Sequence, residues 1–444
     1  MIAVSCRELR PLFAAFLSVA AVALVACGPT ANAIRPTLPP RTLQPAASAP
    51  VIDSSSGTGL QSVAPAASGT PPPGGVATQI SGFPQGSAYE VTGVAVTPAG
   101  YVAVGFAGTG QGYFGLHQGV VWRSADGINW QQTVDPAFLD VSPTYVVAVA
   151  DTVYVFGQFS TCAEAIDTEC TDDPNAGTVV FRSMSGAPWE QLAQTSDIIG
   201  ASFDGVTAWG NTLVAWGAAG DDNGTSTVWT SADGLNWTPT TDLAGLDPVD
   251  SVAAGGPGLI AFGAKFDASI EDTQLVAATS TDGIQFTSAT VPAITGASVM
   301  SVAAGPGGYA GAGWAASDSE PSLGLTLSSA DGTNWSQTTA TDGSFDNTLM
   351  NDLHATSSGY VAVGSAIDET DMTLQTGRIW LSADGTSWHS PGNFGGLFSQ
   401  YGDSALGPGG LVVFTADEQD SNDEGTDVNS TIYGWLVPHD RLTP

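Results

Sequence analysis

One short sequence recurs along this chain, first as Ser124-Ala125-Asp126-Gly127-Ile128-Asn129-Trp130. Close copies occupy residues 231–237, 329–335 and 382–388, and two weaker copies occupy residues 183–189 and 280–286. Between equivalent positions of the six copies the steps are 59, 48, 49, 49 and 53 residues. Such a period is typical of solenoids and propellers, in which one supersecondary unit is repeated to build a continuous core.

An apolar hairpin precedes each copy of this turn sequence, as at residues 251–263 and 301–313. Short apolar runs split by a Gly-rich turn are typical of buried antiparallel strands. Equivalent hairpins start near Val91, Tyr145, Phe203, Asp352 and Ser404, so the hairpin occurs seven times. With a third strand before the turn and a fourth after it, the pattern predicts an all-β fold, a seven-bladed β-propeller of four-stranded antiparallel blades.

The last unit is incomplete, because residues 432–437 form its third strand and no turn sequence or fourth strand follows. Residues 76–80 precede the first hairpin in the way that a fourth strand precedes each later hairpin. An unpaired sheet edge is unfavourable. We therefore predict that this N-terminal strand closes the ring beside residues 432–437.

The turn sequence resembles the Asp-box, or BNR repeat, of sialidases and related propellers, although that family usually has one more residue between the Asp and the aromatic residue. The resemblance implies a structural hairpin in which the Ser and Asp side chains accept backbone hydrogen bonds and the aromatic side chain packs between strands. A role in the fold, and not in catalysis, is therefore expected for Asp126, Asp233, Asp282, Asp331, Asp384, Trp130, Trp237, Trp335 and Trp388.

The first 27 residues have the parts of a bacterial signal sequence: Arg7 and Arg10, then an apolar run at residues 12–26. The segment Leu24-Val25-Ala26-Cys27 resembles a lipobox. This resemblance implies a lipid anchor on Cys27 that holds the protein in the bacterial cell envelope, on the outer side of the cytoplasmic membrane or in the outer membrane. An ordinary cleaved signal and an uncleaved anchor are the alternatives, but the run is short for a spanning helix of about 20 residues.

Residues 28–75 are rich in Pro, Ala, Ser and Gly and have few groups to bury against the cost of chain entropy. They predict a disordered tether, and residues 76–444 form the propeller domain. Cys162 and Cys170 are eight residues apart in a chain predicted to be exported. We expect them to form a disulfide.

The chain has nine Lys and Arg against 43 Asp and Glu, and its net charge is −34 at pH 7. This composition excludes a nucleic-acid partner, which requires clustered Lys and Arg, and it favours basic partners. The loops between second and third strands hold 21 of the 43 acidic residues, on the face opposite the turn sequences. Three explanations stay open: solubility, calcium binding, and capture of a basic protein or peptide.

The candidate calcium loop starts at Asp420 and continues through Asn422 and Glu424 to Gly425. Oxygen ligands at the first, third and fifth positions before a Gly are typical of the start of a calcium loop. The twelfth position holds Thr431, where such loops have a closing Glu. Calcium is therefore the single cofactor that the sequence suggests, and none is required.

The sialidase resemblance does not extend to the substrate site. Sialidases bind a carboxylate with three Arg residues, one of them in an Arg-Ile-Pro segment, and this chain has no such segment. Arg123, Arg182 and Arg378 lie beside third strands, where we expect solvent-facing ion pairs. His117, His354, His389 and His439 are dispersed, and His354 is the one nearest the expected axis.

No catalytic residue can be assigned from this pattern. The main hypothesis is a monomeric, non-enzymatic binding or scaffolding propeller for a basic protein, a peptide or a glycan. The alternative is an extracellular glycan-active hydrolase that uses two funnel carboxylates. Aromatic residues available as sugar platforms, although expected to pack between blades, are Tyr145, Trp209, Trp216, Trp314 and Tyr401.

Overall fold

The structure is a computed structural model that describes residues 75–80, 83, 89–109, 116–159, 178–193, 198, 200–220, 224–256, 258–316, 323–340, 344–367, 374–398, 400–420 and 428–444. The signal sequence with Cys27, the tether up to residue 74, and Cys162 and Cys170 lie outside these ranges. The lipid anchor, the tether and the disulfide therefore stay predictions.

The described chain forms seven blades of four antiparallel strands around a common axis, which confirms the predicted seven-bladed β-propeller. A short strand, β1 (Thr78–Ile80), comes first. The first three blades, each written from its inner strand outward, contain β2 (Tyr89–Thr97), β3 (Gly100–Thr109), β4 (Leu116–Ser124) and β5 (Gln131–Leu139); β6 (Val141–Val149), β7 (Thr152–Phe159), β8 (Thr178–Met184) and β9 (Glu190–Gln191); and β10 (Ser202–Trp209), β11 (Thr212–Ala219), β12 (Thr225–Ser231) and β13 (Thr238–Thr240).

The next three blades contain β14 (Val249–Gly255), β15 (Gly258–Asp267), β16 (Asp272–Ser280) and β17 (Thr287–Ser288); β18 (Ala297–Gly305), β19 (Gly308–Ala315), β20 (Leu323–Ser329) and β21 (Ser336–Ala340); and β22 (Thr348–Thr356), β23 (Gly359–Ile367), β24 (Gln375–Ser382) and β25 (Ser387–Phe398). The seventh blade contains β26 (Gln400–Gly407), β27 (Gly410–Asp420) and β28 (Val428–Val437). A 3-10 turn at His439–Arg441 follows.

The ring closes as predicted, because β1 is the outer strand of the seventh blade. It pairs antiparallel with β28, with Thr78 opposite Leu436 and Ile80 opposite Gly434. The closing strand β1 is only three residues long. Within the described part of the chain, no helix has the length and hydropathy that a membrane crossing needs.

The core lies between neighbouring blades. Val102 of the first blade, for example, packs in one buried cluster with Val155 and Phe181 of the second. Trp122 on β4 and Trp229 on β12 are fully buried third-strand residues. Because apolar burial is the main favourable contribution to folding, each blade depends on its neighbours for its core.

Candidate functional site

Each of the seven inner strands carries one irregularity in its pairing with the second strand, at an equivalent place. In the first blade it lies between Val91 and Gly93, and in the sixth between Met350 and Asp352. The other five lie between residues 143 and 145, 203 and 205, 249 and 251, 299 and 301, and 401 and 404. A β-bulge redirects side chains and is frequent beside functional sites. This ring of bulges therefore lets the blades be compared position by position.

In six blades a Gly on the second strand faces the start of the bulge. At Gly313, a Cβ atom would overlap the carbonyl oxygen of Ser298, and at Gly364 it would overlap that of Leu349. The seventh blade has Thr415 at this position, opposite Tyr401. Its bulge also leaves Gly402 and Asp403 between the paired residues Tyr401 and Ser404, so this blade departs from the pattern.

Asp352 and Asp403 occupy the same position on neighbouring inner strands. Each lies four residues before the last paired residue of its hairpin, which is Thr356 in the sixth blade and Gly407 in the seventh. The other five blades have small or neutral residues there: Gly93, Tyr145, Gly205, Ser251 and Ser301. Two adjacent carboxyl groups are thus peculiar to the sixth and seventh blades.

Two further polar residues replace apolar or small ones in the same two blades. Ser404 takes the position that holds Val94, Val146, Val206, Val252, Val302 and Leu353 elsewhere. His354 takes the position that holds Ala95, Val147, Thr207, Ala253, Ala303 and Ala405. Burying a polar group costs free energy unless it is hydrogen-bonded. Four such changes in one place mark a local site within an otherwise repetitive channel wall.

These residues form one hydrogen-bond network, which we call the axial cluster: Asp352, His354, Tyr401, Asp403 and Ser404. The Tyr401 hydroxyl and the Ser404 hydroxyl both donate to Oδ2 of Asp352, at 2.7 and 2.9 Å. His354 Nε2 lies 2.8 Å from Ser404 Oγ. The backbone N–H of Ser404 donates to Oδ1 of Asp403 at 2.8 Å.

A third blade also takes part. The backbone N–H of Val94, on β2 of the first blade, donates to Oδ2 of Asp403 at 2.7 Å. The axial cluster therefore connects the first, sixth and seventh blades at the axis. Thr92 makes a comparable link from the first blade to the second, since its hydroxyl donates to the Pro143 carbonyl at 2.8 Å.

The direction of these bonds settles the state of His354. Ser404 gives its only hydroxyl hydrogen to Asp352, so its oxygen accepts from Nε2–H of His354. Burial lowers the pKa of His354, and the charge of Asp352 opposes that shift. The imidazole is therefore neutral at pH 7 and acts as a donor. It does not take a proton from Ser404, as a nucleophilic serine would require.

Asp352 and Asp403 lie within hydrogen-bonding distance of each other. Burial is the largest cause that raises the pKa of Asp403 well above its usual value, and the charge of Asp352 is the second. Hydrogen bonds from the backbone N–H groups of Val94 and Ser404 lower this pKa but do not offset the rise. Burial and the charge of Asp352 also raise the pKa of Tyr401 well above 10. The two carboxyl groups therefore keep one proton to a higher pH than an isolated carboxyl group would, and Tyr401 keeps its own proton at neutral pH.

The axial cluster is enclosed by protein yet open to the channel. Ser404 is 5% exposed, and the side chains of Asp352, His354, Tyr401 and Asp403 are partly exposed. The bulges lie in the first half of each inner strand, before the hairpin that leads to the second strand. The cluster therefore lies toward the channel mouth on the face of the blade-to-blade connections, opposite the turn sequences.

The predicted turn residues adopt one repeated geometry. In the third blade, the Ser231 hydroxyl accepts from Gly234 N–H at 2.9 Å, and Oδ1 of Asp233 accepts from the N–H groups of Leu235 and Asn236, both at 2.8 Å. Trp237 Nε1 donates to the Gly234 carbonyl at 3.1 Å. The same pattern of Ser and Asp contacts recurs around Asp126, Asp282, Asp331 and Asp384.

The four turn Trp residues Trp130, Trp237, Trp335 and Trp388 are all buried. Burial opposes ionisation of Asp233, but hydrogen bonds from the Asn236 and Leu235 N–H groups and the Asn236 side chain outweigh it and lower the pKa of Asp233 to about 2. The carboxylates of the turns are therefore ionised and committed to holding the turns. None of them lies in the axial cluster.

The arginines lie away from the axis, and their contacts differ from one another. Arg182 pairs with Glu190 at 2.9 Å, as expected for an exposed ion pair. The Arg123 guanidinium is half-buried and lies 5.7 Å from the ring centre of Trp189. Arg378 donates to Asn393 Oδ1 at 3.2 Å and lies 3.5 Å from the Ser344 carbonyl.

The candidate calcium ligands are only partly described. Asp420 is the last residue of β27, and Asn422 and Glu424 lie outside the described residues. Among the residues that the structure does describe, no group of three or more His, Cys, Asp or Glu is arranged to hold a metal ion. The calcium loop stays a prediction.

Two of the proposed sugar platforms act between blades. Trp216 Nε1 donates to the Asp250 carbonyl of the fourth blade at 3.3 Å, and the Tyr145 hydroxyl donates to the Phe203 carbonyl of the third blade at 3.2 Å. A surface cavity of about 300 Å³ lies on the opposite face, beside Tyr101, Arg123 and Asp126. It is distant from the axial cluster, and its carboxylate already serves the turn.

Sequence reasoning placed His354 near the axis but did not find the axial cluster. The sequence pattern indicated Tyr401 only as an aromatic platform and Asp352 and Ser404 only as the starts of hairpins, and it did not single out Asp403. The signal was present, because alignment of the seven inner strands shows Asp, His or Ser at positions where the other blades have uncharged and mostly small or apolar residues. It becomes visible once the bulge register is known.

No family model matches this chain, and no curated protein matches it. Solved structures with a similar arrangement include a mutant Trypanosoma rangeli sialidase with trans-sialidase activity, at 14% identity and a TM-score of 0.40, covering 80% of this chain and 55% of that one. YCF48 bound to D1 peptide matches at 11% identity and a TM-score of 0.45, over 82% of this chain and 98% of that one. A family 117 glycoside hydrolase from Zobellia galactanivorans matches at 8% identity and a TM-score of 0.36, over 82% and 90%. The chain thus spans about half of the sialidase, and nothing about its activity follows from likenesses at this level.

Proposed function

We propose that this protein is a non-enzymatic binding or scaffolding propeller, held outside the cytoplasmic membrane by a lipid on Cys27, and that it binds a basic peptide or protein at the mouth of its channel. The proposal combines the signal sequence with the charge of the channel wall. The binding half rests on the described residues, and the anchoring half rests on the resemblance of the N-terminus to a lipobox.

The charge of the inner strands is the observation that carries the proposal. The residues of β2, β6, β10, β14, β18, β22 and β26 include five carboxyl groups and no Lys or Arg. These five are Glu90, Asp204, Asp250, Asp352 and Asp403. A cleft lined by one sign of charge concentrates ligands of the opposite sign and speeds their association. A cationic side chain or terminal amine is the chemistry that fits this wall.

One contact favours the alternative, a glycan-active hydrolase. Tyr401 and Asp352 form a phenol–carboxylate pair at 2.7 Å, which is similar to the Tyr and Glu nucleophile pair of sialidases. The raised pKa of Asp403 lets it keep its proton to a higher pH than usual, as a general acid requires.

Two observations make that alternative the weaker one. The raised pKa of Tyr401 disfavours the phenolate that a nucleophile needs. The two carboxyl groups contact each other, whereas glycosidases separate theirs by about 5 Å or more to admit the sugar or a water. The axial cluster is therefore better suited to binding than to glycoside hydrolysis.

Peptide titration tests the binding proposal. A labelled lysine-rich peptide and a glutamate-rich peptide of equal length are titrated with the purified chain, and fluorescence anisotropy is read at two salt concentrations. We expect the basic peptide alone to bind, and its affinity to fall as salt is raised, because screening weakens the attraction.

A variant that removes the charge of one carboxyl group in the channel wall locates the site. Asp352→Asn keeps an oxygen that accepts from Tyr401 and Ser404, and it should weaken basic-peptide binding about three- to tenfold. The control is Asp440→Asn, an exposed residue on the opposite face, which should leave affinity unchanged. Equal effects of both variants, or no binding of the basic peptide, would overturn the proposal. Turnover of an aryl glycoside that Asp352→Asn abolishes would establish the hydrolase instead.

A further inference from the structure

The ring of this propeller closes at the seventh blade, where its first strand, β1, pairs with its last strand, β28. At the rim, the closing strand β1 contributes only three residues. Near the turn-sequence face of the channel, Tyr101 of the first blade connects to the seventh, since its hydroxyl donates to the Gly410 carbonyl at 2.7 Å and accepts from Gly409 N–H at 2.9 Å. At the other end of the channel the axial cluster makes the connection.

The axial connection passes through Asp403. Its Oδ2 accepts from Val94 of the first blade, and its neighbour Ser404 donates to Asp352 of the sixth. The backbones are also close there, because Gly402 packs against the Val91 carbonyl, and a Cβ on this Gly would lie 2.9 Å from that oxygen. Three inner strands, from the first and the last blades of the propeller, thus meet around two carboxyl groups.

Two carboxyl groups in contact cannot both be ionised without strong repulsion. With one proton between them, one group donates to the other, and the remaining oxygens accept from Tyr401, Ser404 and Val94. Without that proton, two negative charges face each other in surroundings that stabilise charge poorly. The two carboxyl groups titrate as a unit, so the proton is shared by the two strands that carry them and is not assigned to one residue.

We propose that the proton shared by Asp352 and Asp403 is a built-in latch of the ring: while it is bound, the first, sixth and seventh blades are held together at the axis, and its loss as pH rises loosens this seam before the other blades separate.

The groups around Asp352 and Asp403 support the proposal that loss of the shared proton weakens this contact. From β22 it is faced by His354, which is neutral, and from β26 by Tyr401, which keeps its proton. From β2 the contact is the N–H of Val94, and the titratable residues on that strand, Tyr89 and Glu90, are both acids. On β27, residues Val413, Phe414 and Thr415 carry no titratable group. No cation on these four strands offsets a second negative charge.

The sign of the effect follows from the raised pKa of Asp403. A carboxyl group that holds its proton more tightly in the folded state stabilises the fold fully below its unfolded pKa of about 4, and this stabilisation is lost as pH rises through the folded pKa. Rising pH therefore weakens the latch. The carboxylates of the turns have the opposite effect, because their contribution to the stability of the fold increases as pH rises.

The experiment needs a local readout at the seam. Trp435 of β28 pairs with Gln79 of β1 and is 6% exposed, whereas Trp229 lies in the third blade and is fully buried. In the chain labelled with 5-fluorotryptophan, 19F NMR resolves these side chains, and Trp435→Phe and Trp229→Phe assign them. From about pH 4 to about pH 10 we expect the Trp435 resonance to change in a titration, and the Trp229 resonance to stay constant until the chain unfolds.

Matched variants assign the titration to the latch. Asp352→Asn keeps the acceptor for Tyr401 and Ser404 and adds an amide N–H that donates to Asp403, so it should lower the titration midpoint by about one pH unit or more. Asp403→Asn should abolish it, and the exposed Asp242→Asn should leave it unchanged. A Trp435 signal that is independent of pH, or a titration with the same midpoint in Asp352→Asn as in the parent chain, would overturn the proposal. Asp352→Asn keeps the test decisive if Asp403→Asn fails to fold.

Discussion

Tyr401 and Asp352 are 49 residues apart in the chain, and their side chains meet at the axis, where the Tyr401 hydroxyl donates to Asp352 Oδ2 at 2.7 Å. The contact crosses from the seventh blade to the sixth. It connects two repeats of the same unit through residues that neither repeat shares with the others. Asp352 accepts a second hydrogen bond from Ser404 on the same oxygen, at 2.9 Å.

Removing the Tyr401 hydroxyl should therefore destabilise the protein. Tyr401→Phe keeps the ring but leaves the enclosed Asp352 with one donor fewer, and the free energy of unfolding should fall by about 1–3 kcal/mol in urea denaturation. Tyr154→Phe is the control, because that partly enclosed hydroxyl lies outside the axial cluster. An equal loss in both variants would show that the contact with Asp352 contributes nothing particular.

The turn sequence should show its structural role in a single substitution. Asp233→Ala removes the acceptor of the Leu235 and Asn236 N–H groups and of the Asn236 side chain, and we expect a loss of about 1–2 kcal/mol in the free energy of unfolding. Asp242→Ala, at an exposed residue of the following connection, serves as the control and should change stability little. A stable Asp233→Ala protein that has lost ligand binding would contradict the assignment to the fold.

Acid should weaken the turns within a defined window. The pKa of Asp233 is lowered to about 2, and a carboxyl group with a lowered folded pKa stabilises the fold above its unfolded pKa of about 4 and stops doing so as pH falls through the folded value. Urea midpoints should therefore decrease between about pH 4 and about pH 2. Asp233→Ala should lose less over this range than the parent chain, and an identical loss would argue against a contribution from this turn.

The second-strand glycines should be intolerant of any side chain. In Gly313→Ala the new Cβ would overlap the Ser298 carbonyl oxygen beside the bulge of the fifth blade, and relieving that overlap should cost about 3 kcal/mol of unfolding free energy. Gly396→Ala is a matched control, because a Cβ there meets no atom within 4 Å. If both variants had the same thermal midpoint, the close approach at the bulge would not be a constraint on the sequence.

Calcium binding at Asp420, Asn422 and Glu424 is tested by melting the purified chain with calcium and with a chelator. A ligand that binds only the native state raises its stability, so a site there predicts a higher midpoint in calcium. Glu424→Gln should remove the rise, and Glu271→Gln, at an exposed residue of the fourth blade, should retain it. Equal midpoints with calcium and chelator would eliminate the metal site and leave solubility or a basic partner to account for the acidic loops.

Much of the fold was predictable because its causes are local. The Ser, Asp and Gly of each turn satisfy one another within three residues of chain, as between Ser231 and Gly234. The apolar hairpins need only the strand that follows them. The position of the closing strand was also predictable, because one unit lacked a fourth strand and one strand lacked a unit.

The axial cluster was not predictable in the same way, because its members are ordinary when read one at a time. Asp352 and Asp403 belong to different repeats, and two particular carboxyl groups do not stand out in a chain with 43 Asp and Glu. Their contact depends on the bulge register of two inner strands and on the curvature that brings those strands to one axis.

The sequence by itself determined the number of blades, the turn chemistry and the way the ring closes, since periodic apolar strands and short-range hydrogen bonds act over a few residues of chain. Only the tertiary structure decided that Asp352, His354, Tyr401, Asp403 and Ser404 share one network with Val94 of the first blade. The reason is geometric: a closed ring places equivalent positions of successive repeats side by side, and it also brings the first repeat against the last, which the linear order of residues keeps 309 positions apart.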